Sequence, residues 1–191
     1  MNLTHCDLSV PTFQALFENL RQNVPLKTLN LAYNPGAASH QGIMFLKSIV
    51  PCLWNNRAIV SLNLSFCSLG DSFMNYLSDG LCHNNRLAFL DLRGNRVTCD
   101  GISGICQALV QKYNGNLKEV DLSRNRIGDE GALRIAKMLT VNRSLQKLRL
   151  NRNQISDAGG KELAEAMKAN KNLEVLDLAN NFLQLSFLQK L

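Results

Sequence analysis

Apolar residues along this chain follow two alternating periods. Short pieces alternate apolar, polar, apolar: Leu29-Asn30-Leu31, Leu62-Asn63-Leu64, Leu90-Asp91-Leu92, Val120-Asp121-Leu122, Leu148-Arg149-Leu150 and Leu176-Asp177-Leu178. A period of two predicts a strand with one face buried. Between these pieces the spacing changes to that of a helix. Examples are Ala132, Leu133, Ile135, Ala136 and Leu139, then Ile155, Leu163 and Met167. The same frame holds for Val97, Ile105 and Leu109, for Leu69, Leu77 and Leu81, and for Leu8, Leu16 and Leu20. The chain therefore predicts one strand and one helix per unit, repeated.

Each unit opens as L-x-x-L-x-L-x-x-N/C, from Leu26, Ile59, Leu87, Leu117, Leu145 and Leu173. A shortened seventh copy stands at Met1–Cys6. The sixth position is Leu throughout: Leu3, Leu31, Leu64, Leu92, Leu122, Leu150 and Leu178. The ninth is Asn or Cys: Cys6, Asn34, Cys67, Asn95, Asn125, Asn153 and Asn181, at successive spacings of 28, 33, 28, 30, 28 and 28 residues. Where the chain turns out of the strand, its backbone N–H and C=O groups need partners. A buried Asn amide donates and accepts at once, so this series predicts a ladder that ties one turn to the next. Cys in the slot is a smaller and weaker substitute, which makes Cys6 and Cys67 structural residues.

A strand and a helix per 28 residues cannot bury an apolar face alone, so neighbouring units must supply the core. Residues 117–181 carry the pattern most fully, as in LKEVDLSRNRIGDEGALRIAKMLTVNRSLQKLRLNRN. They resemble leucine-rich repeats of the ribonuclease-inhibitor-like type. The uniform period is closer to the repeats of NOD-like receptors and related intracellular repeat proteins than to the alternating 28/29 units of the inhibitor itself. The resemblance implies an α/β fold: a βα leucine-rich-repeat solenoid, or horseshoe, with parallel strands on the concave face and helices on the convex face. Residues 1–191 form one such domain of about six and a half repeats, with strand cores near 1–4, 28–32, 61–65, 89–93, 119–123, 147–151 and 175–179.

Departures from the frame mark loops. The 33-residue unit has about two extra residues before its helix, in 35–41, and about three after it, in 51–56. The 30-residue unit adds two in 111–116. Insertions in solenoids collect on one face and are often used for binding. Trp54, the single Trp, lies in one of them and either fills the gap or meets a partner. Solenoids need polar capping units. This chain begins inside a strand and ends in an apolar run, with Phe187 where other units have Gly131 and Gly159. Part of a longer solenoid is the expected setting, with the tail folded over the last repeat as the alternative.

The net charge of +6 is uneven. Residues 1–86 hold 5 basic and 4 acidic residues; residues 87–191 hold 16 and 11. The repeat frame puts much of the excess on the strand ends and on the rim where the chain leaves the strand. Outward strand positions are Thr28, Ser61, Phe89, Glu119, Lys147 and Val175, and Asn2, Asn30, Asn63, Asp91, Asp121, Arg149 and Asp177. The eighth position carries three adjacent rings, His5, Tyr33 and Phe66. Further along, the rim carries Arg96, Arg124, Arg126 and Arg152, with Arg93 and Arg149 on the strands. Tyr33, Phe66, Phe89 and these arginines are the candidate partner surface, since aromatic and Arg side chains dominate binding hot spots.

Little points to chemistry. His5, His40 and His83 fall at different phases of the repeat, and no nucleotide loop or cysteine pair at zinc spacing occurs. No catalytic, cofactor or metal residue is expected. Acidic pairs such as Asp129-Glu130 sit where a helix begins and favour its positive end. The six cysteines read as reduced thiols of a cytoplasmic protein, mostly buried. The sequons at Asn2, Asn63 and Asn142 are then unused. No apolar run has the length of a membrane span.

The expected function is a non-catalytic, intracellular protein–protein interaction module, its partner another protein with an acidic surface. The resemblance also implies two alternatives. One is regulation of an enzyme, as an inhibitor or as a GTPase activator like the Ran GTPase-activating protein. A basic surface suits a basic ribonuclease poorly, and the acidic tail of the GTPase activators is missing. The other is weak nucleic-acid binding through the Arg rim, against which the interleaved Asp91, Glu119 and Asp121 argue. Within the first reading, the resemblance allows the sensor half of a receptor or a cytoskeletal, centrosomal or ciliary scaffold.

Overall fold

Six three-residue strands and six helices alternate along the chain in a computed structural model. It describes residues 1–22, 25–35, 42–110 and 115–184, with backbone only for 42–47. The strands are β1 (Thr28–Asn30), β2 (Ser61–Asn63), β3 (Phe89–Asp91), β4 (Glu119–Asp121), β5 (Lys147–Arg149) and β6 (Val175–Asp177). They form one parallel sheet in sequence order, and each position pairs with its equivalent in the next unit. A bridge between Asn2 and Asn30 carries the same register back to the shortened first unit. The helices are α1 (Val10–Leu20), α2 (Gly42–Asn55), α3 (Gly70–His83), α4 (Cys99–Val110), α5 (Gly128–Val141) and α6 (Asp157–Ala169). This is the βα leucine-rich-repeat solenoid that the pattern predicts.

The core lies between sheet and helices. Leu29, Leu62, Leu90, Val120 and Leu148 enter it from the strands, followed by Leu31, Leu64, Leu92, Leu122 and Leu150. The helices answer with Phe73, Leu77 and Leu81, with Ile102, Ile105 and Leu109, and with Ile135 and Leu139. In α1 the deep contacts come from Phe13 and Phe17, and Leu16 is only partly buried.

The residues counted as an insertion after the second helix lengthen that helix: Pro51 to Asn55 are the end of α2. Trp54 stands in its last turn, where its Nε1 donates to Asp79 O and its ring lies 5.0 Å from that of His83. It joins α2 to α3 while remaining 39% exposed. The expected loop at 36–41 with His40, the insertion at 111–114 and the tail at 185–191 lie outside the described residues.

Two asparagine ladders pair the turning backbone. At the ninth position Asn125 Oδ1 accepts from Asn95 N and Val97 N, while its Nδ2 donates to Leu92 O and Leu122 O. Asn34, Asn95, Asn153 and Asn181 repeat the arrangement, with Nδ2 reaching back to Leu3 O, Leu64 O, Leu122 O and Leu150 O. Cys67 keeps the donor half, its Sγ lying 3.2 Å from Leu31 O, and burial pushes its pKa up to about 11. Cys6 is exposed, and among the described residues its Sγ reaches only Thr4 O, within its own turn.

The second ladder follows the helices. Asn56, Asn84, Asn142 and Asn170 are buried, and their Nδ2 groups donate to Leu20 O, Leu53 O, Leu109 O and Leu139 O of the preceding unit. Their Oδ1 atoms accept from the backbone N–H groups two and three residues on, such as Ser144 and Leu145 for Asn142. The Asn142 amide is thereby committed to the interior. Its signal stands in the sequence, where an Asn precedes the first apolar residue of every full unit by three: Asn23, Asn56, Asn84, Asn114, Asn142 and Asn170.

Candidate functional site: the concave face and its rim

The eighth residue of each unit lies in the left-handed region: His5, Tyr33, Phe66, Gly94, Arg124, Arg152 and Asn180 have φ between 55° and 64°. A side chain there costs on the order of 1 kcal/mol, yet six of the seven positions carry one. The repeated conformation turns the chain sharply out of the strand. It also sets equivalent side chains one strand spacing apart. The His5 and Tyr33 rings stack at 4.3 Å and 13°, and those of Tyr33 and Phe66 at 4.5 Å and 10°. Tyr33 is 41% exposed. The next position is Gly94, where a Cβ would lie 2.4 Å from the Phe66 ring.

Beyond Gly94 the rim becomes cationic. Arg96, Arg124, Arg126 and Arg152 are exposed and make no side-chain hydrogen bond or ion pair with the described residues. Arg93 and Arg149 differ from them. Arg93 clasps Asp91 with Nε and Nη2 and stands 3.5 Å from Asp121. Arg149 pairs with Glu119 across the strands. The hydrogen bond to its own acid raises the guanidinium pKa in each case. The six candidate arginines are therefore two sets: four on the rim without a side-chain partner among the described residues, and two paired with acids, Arg149 on β5 and Arg93 just beyond β3.

The outward residues at the fifth position have a backbone task. Oδ1 of Asn2, Asn30, Asn63, Asp91, Asp121 and Asp177 accepts from the N–H two residues on, at 2.9–3.1 Å. This local turn explains why Asn and Asp recur there. Arg149 is the exception.

The strands bound an open hollow of about 630 Å³. Phe89, 45% exposed, stands at one side, and Arg93, Arg124 and Arg149 line it together with Asp91, Glu119, Asp121 and Asp177. Ser123 and Asn151 also belong to the lining, and Ser123 Oγ and Asn151 Oδ1 are buried without a hydrogen-bond partner among the described residues. Of the predicted surface, Phe89, Arg93, Arg124 and Arg149 thus meet around one concavity. Tyr33, Phe66, Arg96, Arg126 and Arg152 are on the rim.

Asp129 is more than a helix-dipole group. Its Oδ1 accepts from Ser156 N and Gly159 N, and its Oδ2 from Ser156 Oγ, all in the next unit. Asp71 holds Thr98 in the same way, with Oδ1 2.8 Å from its N and Oδ2 2.7 Å from its Oγ1. Burial alone would raise the Asp129 pKa, but the hydrogen bonds from Ser156 and Gly159 outweigh it and lower the value. Cys52 and Cys106 are pushed up to about 12 by burial, so they are thiols, not thiolates, at neutral pH. Among the described residues no group of three or more His, Cys, Asp or Glu side chains is placed to hold a metal ion, and no helix is long and apolar enough to cross a membrane.

Sequential parallel strands, an Asn ladder and left-handed rim residues define a leucine-rich-repeat protein, and this chain is one, of the ribonuclease-inhibitor-like type. Leucine-rich-repeat family models match residues 143–190, as two copies, and residues 113–136. Similar proteins include NACHT, LRR and PYD domains-containing protein 9C of Mus musculus, 32% identical over 74% of this chain, and protein 13 of that series in Homo sapiens, 34% identical over 74%. The chain spans 14% and 13% of the length of those two relatives. The ribonuclease inhibitor of Sus scrofa is 28% identical over 70% of this chain and 34% of its own length. Among solved structures, leiomodin-1 actin-binding site 2 superposes with a TM-score of 0.66 at 22% identity, covering 82% of this chain and 88% of that one.

Proposed function

We propose that this chain is a non-catalytic protein-interaction module that holds a protein partner against its concave face and the adjoining rim. The observation that carries this reading is the set of four rim arginines, Arg96, Arg124, Arg126 and Arg152, without side-chain partners among the described residues, beside a stack of three rings and an open hollow. Arg and aromatic side chains are enriched in protein interfaces and among binding hot spots. The ridge suits acidic residues on the partner. A cytoplasmic setting is part of the proposal and rests on the cysteine usage, with buried thiols kept protonated in the core. The leiomodin-1 domain of similar fold is an actin-binding site of that protein. For this chain the likeness supports the scaffold, and actin is not carried over.

Affinity capture from cell lysate tests the reading. Wild type is compared with an Arg124→Glu/Arg126→Glu/Arg152→Glu triple variant and with a convex-face Lys137→Glu variant. The expected result is a partner retained by wild type and by Lys137→Glu and lost by the triple variant. A partner set unchanged by the triple variant removes the rim from the function.

A further inference from the structure

We infer that the β4–β6 end of the hollow is an anchor site for one Lys or Arg side chain of the partner. The inference rests on the interaction reading above and gives it a polarity opposite to that of the rim. Three polar side chains of the hollow's lining have acceptor capacity left. Asp177 has no ion pair among the described residues, and its Oδ2 receives only the Asn151 amide at 3.3 Å. Asn151 Oδ1 has no hydrogen-bond partner among the described residues. Ser123 Oγ, in a residue 3% exposed, has none either. Ser123 and Asn151 are equivalent positions on neighbouring units, both in the hollow's lining with Asp177.

The local repeat chemistry explains how the surplus arises. In the other described units the fifth-position oxygen is occupied by a backbone N–H. In the fifth full unit Arg149 replaces that residue and hydrogen-bonds Glu119; it feels the charge of Asp177 but forms no ion pair with it. The lining then holds four carboxylates and three guanidinium groups, and one of the three, Arg124, belongs to the rim. Unpaired buried acceptors are costly and are relieved by a donor. A side-chain cation supplies several donors and balances the surplus carboxylate of the lining. The partner segment would then carry its basic anchor between acidic residues that lie on the Arg ridge.

The test uses a random twelve-residue peptide library displayed on phage, selected against the chain. The expected consensus holds one Lys or Arg among Asp and Glu. A synthetic consensus peptide should lose at least tenfold in affinity on Asp177→Asn and again when its basic residue becomes norleucine. Ser123→Ala should cost a few-fold. Asp177→Asn retains the oxygen that Ala179 N needs, as Asn30 and Asn63 do in their units, so folding is preserved. A consensus without a basic position, or affinity within twofold on Asp177→Asn, overturns the anchor. If those peptides are still lost on the Arg124/Arg126/Arg152→Glu variant, the interaction module stands and only the anchor falls. If no peptide depends on either surface, both fall.

Discussion

Gly94 and Phe66 interlock: the ring of one occupies the space where a Cβ on the other would stand, 2.4 Å away. The aromatic stack ends at this contact and the cationic rim begins beyond it. The other residues equivalent to Gly94 carry side chains at the same left-handed φ, so the demand for glycine here comes from Phe66 as well as from the backbone.

Gly94→Ala should therefore destabilise by about 2 kcal/mol, the sum of a left-handed alanine and a displaced ring. In a Phe66→Ala background the same change should cost only about 1 kcal/mol, the backbone share. Urea unfolding of the four proteins measures the coupling. Equal costs in both backgrounds would mean that the ring yields freely.

The helix-end asparagines should be among the most sensitive polar positions. Asn142→Ala leaves Leu109 O, Ser144 N and Leu145 N without the partners they have now. Two or three unmet buried groups set a cost of about 3 kcal/mol or more. Asn55→Ala on the exposed surface, which removes only a bond to Pro51 O, should stay within about 0.5 kcal/mol. Thermal and urea midpoints of the two variants decide it.

Cys67→Asn should stabilise. The thiol keeps the bond to Leu31 O but is a weak acceptor, whereas Asn95, Asn125 and Asn181 accept backbone N–H groups from the preceding turn at this position. Asn is close to Cys in volume, so the gain should be about 1 kcal/mol, read as a raised unfolding midpoint. A loss would show that the turn around Asn34 has adapted to sulfur.

How far the sequence is legible follows from what each signal encodes. The strand–helix repeat and the ninth-position ladder are visible because apolar period and a recurring amide fix them locally. The stacked rings are visible because repeat phase places them side by side. The second ladder, with Asn56, Asn84, Asn142 and Asn170, is as regular in the sequence but hides in a stretch that reads as a loop. The split of the arginines is another matter. Arg93 and Arg149 look like Arg124 and Arg152 until the register shows which carboxylates they reach. The same holds for Asp129, whose partners stand one repeat away at Ser156 and Gly159.

That last contact should give a pH signature. Ser156 donates through N and Oγ to Asp129, and the folded-state pKa of Asp129 is lowered. A group with a lowered folded pKa contributes stability above its unfolded value, near 3.9, and loses it as pH falls through the folded value. The carboxylate is largely solvated, so the linked share should be only a few tenths of a kcal/mol. Ser156 also caps α6 through Ala158 N. Ser156→Ala should therefore cost about 1 kcal/mol at pH 7, and the cost should shrink below about pH 4. Asp129→Asn should flatten that pH dependence. A penalty constant from pH 7 to pH 2.5 would assign the whole effect to the cap.

Ser123 allows stability and binding to be separated in one side chain. Its Oγ is buried without a partner, which a hydroxyl tolerates only at a cost of about 1–3 kcal/mol. Removing it in Ser123→Ala leaves the backbone bond from Ser123 N to Asp121 intact. The alanine should raise stability by about 0.5–1 kcal/mol, less than the full desolvation cost because a small void replaces the hydroxyl. The same substitution should weaken the basic anchor that the hollow accepts. Structural polar groups behave the other way, as Asn142→Ala does, losing stability when they are cut. An unfolding midpoint for Ser123→Ala below that of wild type would mean that the hydroxyl already serves the fold, and its vacancy as an acceptor would no longer point to a ligand.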